Sequence, residues 1–145
     1  MTQRILFVCL GNICRSPTAE AVARTHLEDA KVDSAGTAHW HVGKAPYGPM
    51  QIAAAKRGYA MQGLRARQVT TDDFDSFDLI LGMDAENLSM LETLRPKEGG
   101  APVQLLTDFA PRAGMDHVPD PYYTRDFDAA LDLIETCVHG LRAAL

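Results

Sequence analysis

The stretch Ile5-Leu6-Phe7-Val8-Cys9-Leu10-Gly11-Asn12-Ile13-Cys14-Arg15-Ser16-Pro17 changes character in its middle. Ile5–Cys9 is a continuous apolar run of strand length, as a strand buried on both faces requires. From Ser16 the pattern turns helical. Ser16 suits an N-cap and Pro17 the first helical position, and Ala19, Val22, Ala23, His26, Leu27 and Ala30 follow at helical spacing. In the connection, Gly11 permits a tight turn and Asn12 tolerates a left-handed backbone. A loop between a strand and a helix N-terminus gathers free backbone N–H groups, and the helix dipole adds partial positive charge, so it is a natural anion site. Arg15 adds a planar fork of donors that matches two phosphate oxygens. The nucleotide-binding pattern G-x-x-x-x-G-K-[ST] is excluded, because no Lys stands at the matching place.

Outward from this stretch, strands and helices alternate. Val32–Ala35 reads as a short strand closed by Gly36, and Thr37–Gly48 as a loop. Pro49–Lys56 is Ala-rich and helical, and Thr70-Thr71-Asp72-Asp73 suits the start of a short helix. Phe77–Met83 reads as a second core strand, after which Asp84 caps a helix that runs through Leu94 and stops before Pro96. Val103–Leu106 is a further strand, and Ala110–Thr124 is mostly loop. Phe127, Ala130, Leu131, Ile134, Val138 and Leu141 form one stripe of a C-terminal helix, with Cys137 near it as a core residue. The alternation predicts an α/β fold with a mainly parallel sheet. In such sheets ligands sit at the carboxyl ends of the strands, where Cys9 lies.

Composition narrows the functional classes. The chain has 145 residues, enough for one domain with a sizeable core. Its formal charge of −5 argues against non-specific nucleic-acid or anionic-membrane binding, while allowing one local anion site. Three cysteines, without secreted-type spacing, point to a reducing cytoplasm. The N-terminal residues show no signal-peptide pattern, and no apolar run is long enough to span a bilayer.

With Cys9 at the floor of an anion loop, the donors that hold the anion also stabilise a thiolate. If the anion is a phosphate ester, the step is in-line displacement at phosphorus to give a cysteinyl-phosphate. The Ser16 hydroxyl is placed to donate to the Cys9 sulfur. A lone Cys at a strand end reads as a small buried hydrophobe, and a lone Arg as a surface charge. The pattern C-x-x-x-x-x-R-S between strand and helix carries the functional reading. Expulsion of a phenolate also requires a proton donor on the side opposite the thiolate. Position alone does not select it among 19 carboxylates. Trp40, Tyr122 and Tyr123 are loop aromatics, which mark either a site rim or loop packing.

Val8-Cys9-Leu10-Gly11-Asn12-Ile13-Cys14-Arg15-Ser16-Pro17-Thr18-Ala19-Glu20-Ala21-Val22 resembles the low-molecular-weight protein tyrosine phosphatases. The likeness extends through Asp33-Ser34-Ala35-Gly36-Thr37, Trp40-His41-Val42-Gly43, Arg65-Ala66-Arg67, Phe77-Asp78-Leu79-Ile80, Met83-Asp84 and Asp120-Pro121-Tyr122-Tyr123, nearly the whole chain. It implies one domain over residues 1–145, with a four-stranded parallel sheet, helices on both faces and the phosphate-binding loop after the first strand. It also implies no metal or cofactor and a two-step mechanism through phosphocysteine. Carried over, Cys9 is the nucleophile and Arg15 binds the phosphate and stabilises the transition state. Leu10, Gly11, Asn12, Ile13, Cys14, Arg15 and Ser16 form the phosphate loop. Asn12 holds its strained conformation with support from Ser34, and Ser16 assists the thiolate. Asp120 is the general acid, and Trp40, Tyr122 and Tyr123 wall a cleft deep enough to favour phosphotyrosine over phosphoserine. The family also implies a reversible Cys9–Cys14 disulfide on oxidation. The expected partners are tyrosine-phosphorylated proteins, acted on by a cytoplasmic monomer.

The chain departs from the family pattern at Leu64, where a histidine is common, and at Ala45-Pro46-Tyr47-Gly48-Pro49, where an acidic residue is common. These affect the hydrogen bonding behind the loop and the charge of the rim; Tyr47 would enlarge the aromatic rim. Three rival readings stand beside the phosphotyrosine one. A protein-arginine phosphatase would carry threonine where this chain has Ile13. A thiol-coupled arsenate reductase would need two further redox cysteines, and only Cys137 is available. A non-catalytic phosphopeptide-binding module would be expected to have lost Cys9, Arg15 or Asp120.

Overall fold

A computed structural model describes residues 2–145. Its elements in chain order are β1 (Arg4–Cys9), α1 (Arg15–His26), β2 (Lys31–Gly36), α2 (Gly48–Ala55), α3 (Asp73–Ser76), β3 (Leu79–Gly82), α4 (Ala85–Leu94), β4 (Val103–Leu105), two 3₁₀ turns (Leu106–Phe109 and Pro111–Ala113), α5 (Pro121–Thr124) and α6 (Phe127–Ala144). The four strands are all parallel, in the order β2-β1-β3-β4. The expected α/β architecture is therefore present, with the first strand at its centre.

Why β1 is central follows from its side chains. Successive residues of a strand point to opposite faces. Ile5, Phe7 and Cys9 join a core with α1, α2 and α6, while Leu6 and Val8 join Ile80, Phe74 and Leu91 on the other face. Helices thus cover both sides, and Ile5–Val8 are fully buried. Truncating Phe7 to alanine would cost roughly 3–5 kcal/mol. On α6, Ala130, Leu131, Ile134, Cys137, Val138 and Leu141 form the buried stripe, as the spacing predicts.

Helix α1 begins one residue earlier than Ser16. Cys14 occupies the N-cap position and no side chain caps the helix. Pro17 is therefore the third helical residue, where its missing N–H is still harmless, because the first four N–H groups have no helical partner. Ser16 is drawn away from a capping role by bonds to Cys9 and Asn12. The segment read as loop over 110–124 contains the second 3₁₀ turn and α5. Asp84 caps α4 as predicted: its side chain accepts from Asn87 N, and the Asn87 side chain accepts in return from Asp84 N.

Candidate active site

The carboxyl ends of β1 and β2 meet at one loop, residues 10–14, and Asp84 after β3 reaches Arg15 just beyond it. Thr37 N donates to Cys9 O at 2.9 Å and Ala38 N to Leu10 O at 2.9 Å, which fixes the chain leaving β2 against the loop. This approach leaves no room for a side chain at Gly36, where a Cβ would lie 2.8 Å from Leu10 O. The left-handed residue of the loop is Asn12, at φ 57°. Gly11 does not use positive φ; its missing side chain makes room for His41, whose Cδ2 would lie 3.0 Å from a Cβ there.

The hydrogen bonds under the thiol have one orientation. Arg67 N donates to Asn12 Oδ1 at 3.0 Å, so the Asn12 amide can face only one way. Its Nδ2 then donates to Ser16 Oγ at 2.7 Å and to Ser34 Oγ at 3.0 Å. Each hydroxyl must send its own proton elsewhere. Ser34 donates to Glu20 Oε1 at 2.7 Å. For Ser16 the near acceptor is Cys9 Sγ at 3.0 Å, against 3.4 Å for Ala35 O. Asn12 N also donates to Cys9 Sγ, at 3.3 Å. The sulfur thus receives two donors, Ser16 Oγ and Asn12 N, which fix its position at the loop. Glu20 is buried, and burial raises its carboxyl above the usual range, although the Ser34 and Arg24 contacts pull the other way.

Arg15 is equally constrained. It is buried to 3% exposure, and its Nη1 donates to Asp84 Oδ2 at 2.7 Å and to Val118 O at 3.0 Å. Burial opposes its charge, but Cys9, Asp84 and Asp120 outweigh that and hold the guanidinium above its ordinary range. Its Nη2 lies 3.6 Å from Asp120 Oδ2. Asp120 caps α5 by accepting from Tyr122 N at 3.0 Å, so Pro121 and the helix turn fix where its carboxylate points.

These groups border one narrow cleft of about 200 Å³. Cys9 and Arg15 lie at its base with Leu10, Gly11, Ile13 and Cys14, and Asp120, Trp40, Tyr122 and Tyr123 line it above the loop. Asn12, Ser16 and Ser34 do not line it; their side chains serve the network behind the sulfur. All the residues singled out in the sequence are therefore brought together. Cys14 is buried, and burial, with Asp120 and Cys9 adding, pushes its thiol up to about 12. Tyr47 packs behind the rim: its ring lies 5.2 Å from that of Tyr122, and its hydroxyl accepts from Arg125 at 2.8 Å.

Three contributors escape a reading of the chain. Asp84 reads only as a cap, Val118 offers nothing but a carbonyl, and His41 enters the cleft wall from the stretch Trp40-His41-Val42-Gly43. Asp84 and His41 both stand in stretches that carry the family likeness, Met83-Asp84 and Trp40-His41-Val42-Gly43, but neither stretch assigns them these contacts.

A family model described as low molecular weight phosphotyrosine protein phosphatase matches residues 4–145. The low molecular weight protein-tyrosine-phosphatase YfkJ of Bacillus subtilis is 41% identical, over 97% of this chain and 94% of that protein. The low molecular weight phosphotyrosine protein phosphatase of Gallus gallus is 42% identical, over 97% of this chain and 92% of that protein. The crystal structure of YfkJ superposes with a TM-score of 0.93 at 39% identity, covering 99% of this chain and 94% of the other. Match, identity and shared architecture agree: this chain belongs to the low molecular weight phosphotyrosine protein phosphatase family.

Proposed function

We propose that the chain hydrolyses phosphotyrosine in proteins, and small aryl phosphates, through a cysteinyl-phosphate. The observation that supports this most is the pairing of a doubly hydrogen-bonded Cys9 sulfur with an anchored Arg15 at the base of a cleft that Asp120 also lines. Cys9 Sγ attacks phosphorus in line with the ester oxygen. The S–P bond forms as the P–O bond breaks, and Asp120 gives its proton to the departing phenolate. The equatorial oxygens, with their developing charge, face Arg15 and the loop N–H groups. In the second step the Asp120 carboxylate takes a proton from water as the water oxygen attacks phosphorus. The S–P bond breaks, thiolate and inorganic phosphate result, and Asp120 is protonated for the next cycle. Thiolate, guanidinium and carboxylate supply nucleophile, charge and proton.

Aromatic walls at Trp40, Tyr122 and Tyr123 suit the ring of phosphotyrosine, and a serine phosphate is too short to bring its phosphorus to the base. Three unpaired cysteines accord with a reducing cytoplasm. Among the described residues no helix is long and apolar enough to cross a membrane. The reading is completed by a monomer acting on tyrosine-phosphorylated proteins, with Cys9 and Cys14 making the loop redox-sensitive.

The test is steady-state hydrolysis of phosphotyrosine, phosphoserine and phosphoarginine peptides, in EDTA, by wild type, Cys9→Ser and Asp120→Ala. Turnover of phosphotyrosine, abolished in Cys9→Ser and much reduced in Asp120→Ala, is expected. Turnover of phosphoarginine alone would replace the substrate class. Peptide binding without turnover in wild type would make the chain a binding module.

A further inference from the structure

A second, wider groove of about 790 Å³ opens from the mouth of the cleft and shares Arg15, Trp40, Asp120 and Tyr123 with it. One wall is the segment from Thr37 to Trp40, which the backbone bonds from Thr37 and Ala38 tie to the thiol loop. The other wall is α4. Glu86, Ser89 and Met90 stand at i, i+3 and i+4 on that helix, so they share one face. The capping box at Asp84 fixes the helix beside Arg15. The two walls are therefore held in register with the reacting groups.

Three large side chains with apolar surface are left to solvent along this groove, Trp40 at 63% exposure, Met90 at 53% and Tyr123 at 73%. Single exposed apolar residues are ordinary. Three that line one groove, continuous with a reaction cleft, provide a surface for a substrate chain. The charges along the groove are uneven. Arg15 is its only Lys or Arg, and that cation is already held by Asp84 and faces the cleft. Glu86 is exposed on the outer wall and makes no ion pair among the described residues. A long basic side chain fits this combination: its methylene stem covers apolar surface while its head stays at the carboxylate.

We infer that the groove between Trp40 and the Glu86–Met90 face of α4 is the subsite for the polypeptide flanking the phosphotyrosine, and that it selects a Lys or Arg a few residues from the phosphorylated ring. The inference rests on the phosphotyrosine reading above. Glu86 and Met90 are binding and specificity residues in it, not catalytic ones.

The test compares kcat/KM for matched phosphotyrosine peptides carrying Arg, Ala or Glu at each flanking position in turn. Wild type, Glu86→Gln, Glu86→Lys and Met90→Ser are measured. Each value is divided by that variant's turnover of p-nitrophenyl phosphate, which fills the cleft without reaching Glu86 or Met90 and so normalises for folding. A half-exposed ion pair is a modest effect. At one or two positions, wild type should prefer Arg over Glu by roughly three- to tenfold, less at high salt. Glu86→Gln should flatten the preference and Glu86→Lys reverse it. Met90→Ser should lower every peptide value relative to p-nitrophenyl phosphate. Phosphotyrosine turnover with the same Arg-to-Glu ratio in wild type and Glu86→Lys at every position would overturn the groove alone. Absence of turnover of peptides and p-nitrophenyl phosphate alike would overturn the phosphatase reading beneath it.

Discussion

Asp84 holds Arg15 by one carboxylate oxygen while its other oxygen caps α4: Oδ2 accepts from Arg15 Nη1 at 2.7 Å, and Oδ1 from Asn87 N at 2.8 Å. Asparagine in its place could still cap, because its carbonyl accepts. Its amide, however, would present donors to a guanidinium that only donates. Asp84→Asn should therefore lower kcat on aryl phosphates on the order of 10–10² through misplacement of Arg15, and lower Tm as well, because a buried guanidinium loses its counter-ion. A large fall in Tm with kcat intact would show that the carboxylate serves the helix only.

Asp120 should reveal itself through the leaving group. Removing a general acid typically costs about 10²–10⁴ in rate. The loss in Asp120→Ala should be greater for substrates with phenol-like leaving groups than for p-nitrophenyl phosphate, whose anion needs little help. Parallel losses across a leaving-group series would mean that Asp120 acts through Arg15, 3.6 Å away, rather than by proton transfer.

Asn12 combines a left-handed backbone with three side-chain bonds. Asn12→Ala forfeits the bonds and places a Cβ residue in αL without compensation. The expected cost is about 2–4 kcal/mol by urea unfolding. Asn12→Gly should recover about 1 kcal/mol of that loss, since glycine accepts the backbone. It should not recover kcat, because Ser16 loses the donor that turns its proton toward Cys9. Equal stability of the two variants would remove the backbone part of this account.

Glu20 makes stability depend on pH. Burial raises its carboxyl in the folded protein, so the native state binds that proton more tightly than the unfolded chain. The contribution is present below the ordinary glutamate value of about 4.3 and is lost as pH rises through the raised native value. Glu20→Gln carries no such loss. Its stability relative to wild type should improve as pH is raised from about 4 to about 7. A difference that worsens over that range in chemical unfolding would reverse the sign argued here.

The three thiols should differ in alkylation. Burial pushes Cys14 and Cys137 up to about 12, so both remain thiols near neutrality. Iodoacetamide at neutral pH should mark Cys9 first, and inorganic phosphate should slow it. Peptide mapping that found Cys14 or Cys137 modified before Cys9 would contradict the assignment of the nucleophile.

Much of this was legible in the chain because it is local. The β1–loop–α1 unit announces itself by an apolar run, a turn and a helical stripe, and Asp84 by its place before α4. Ser16 carried two compatible local roles, cap and thiolate donor, and only the packing of Asn12 against Arg67 decides between them. Arg15 to Val118 O and Arg15 to Asp84 are contacts between distant segments, and periodicity holds no information about such pairs. His41 was hidden for a related reason: it follows Trp40 in a loop, and its place in the wall comes from the space left at Gly11.

The span between Arg15 and the Val118 carbonyl, 103 residues, has a kinetic consequence. Loop closure over such a span comes late, after the local β1–α1 contacts have formed. A refolding chain would thus form β1 and α1 while the guanidinium still lacks its anchors at Asp84 and Val118. Turnover should be among the last properties to return, lagging the recovery of helical circular dichroism, and it would report completion of the whole topology rather than formation of the loop that carries the thiol.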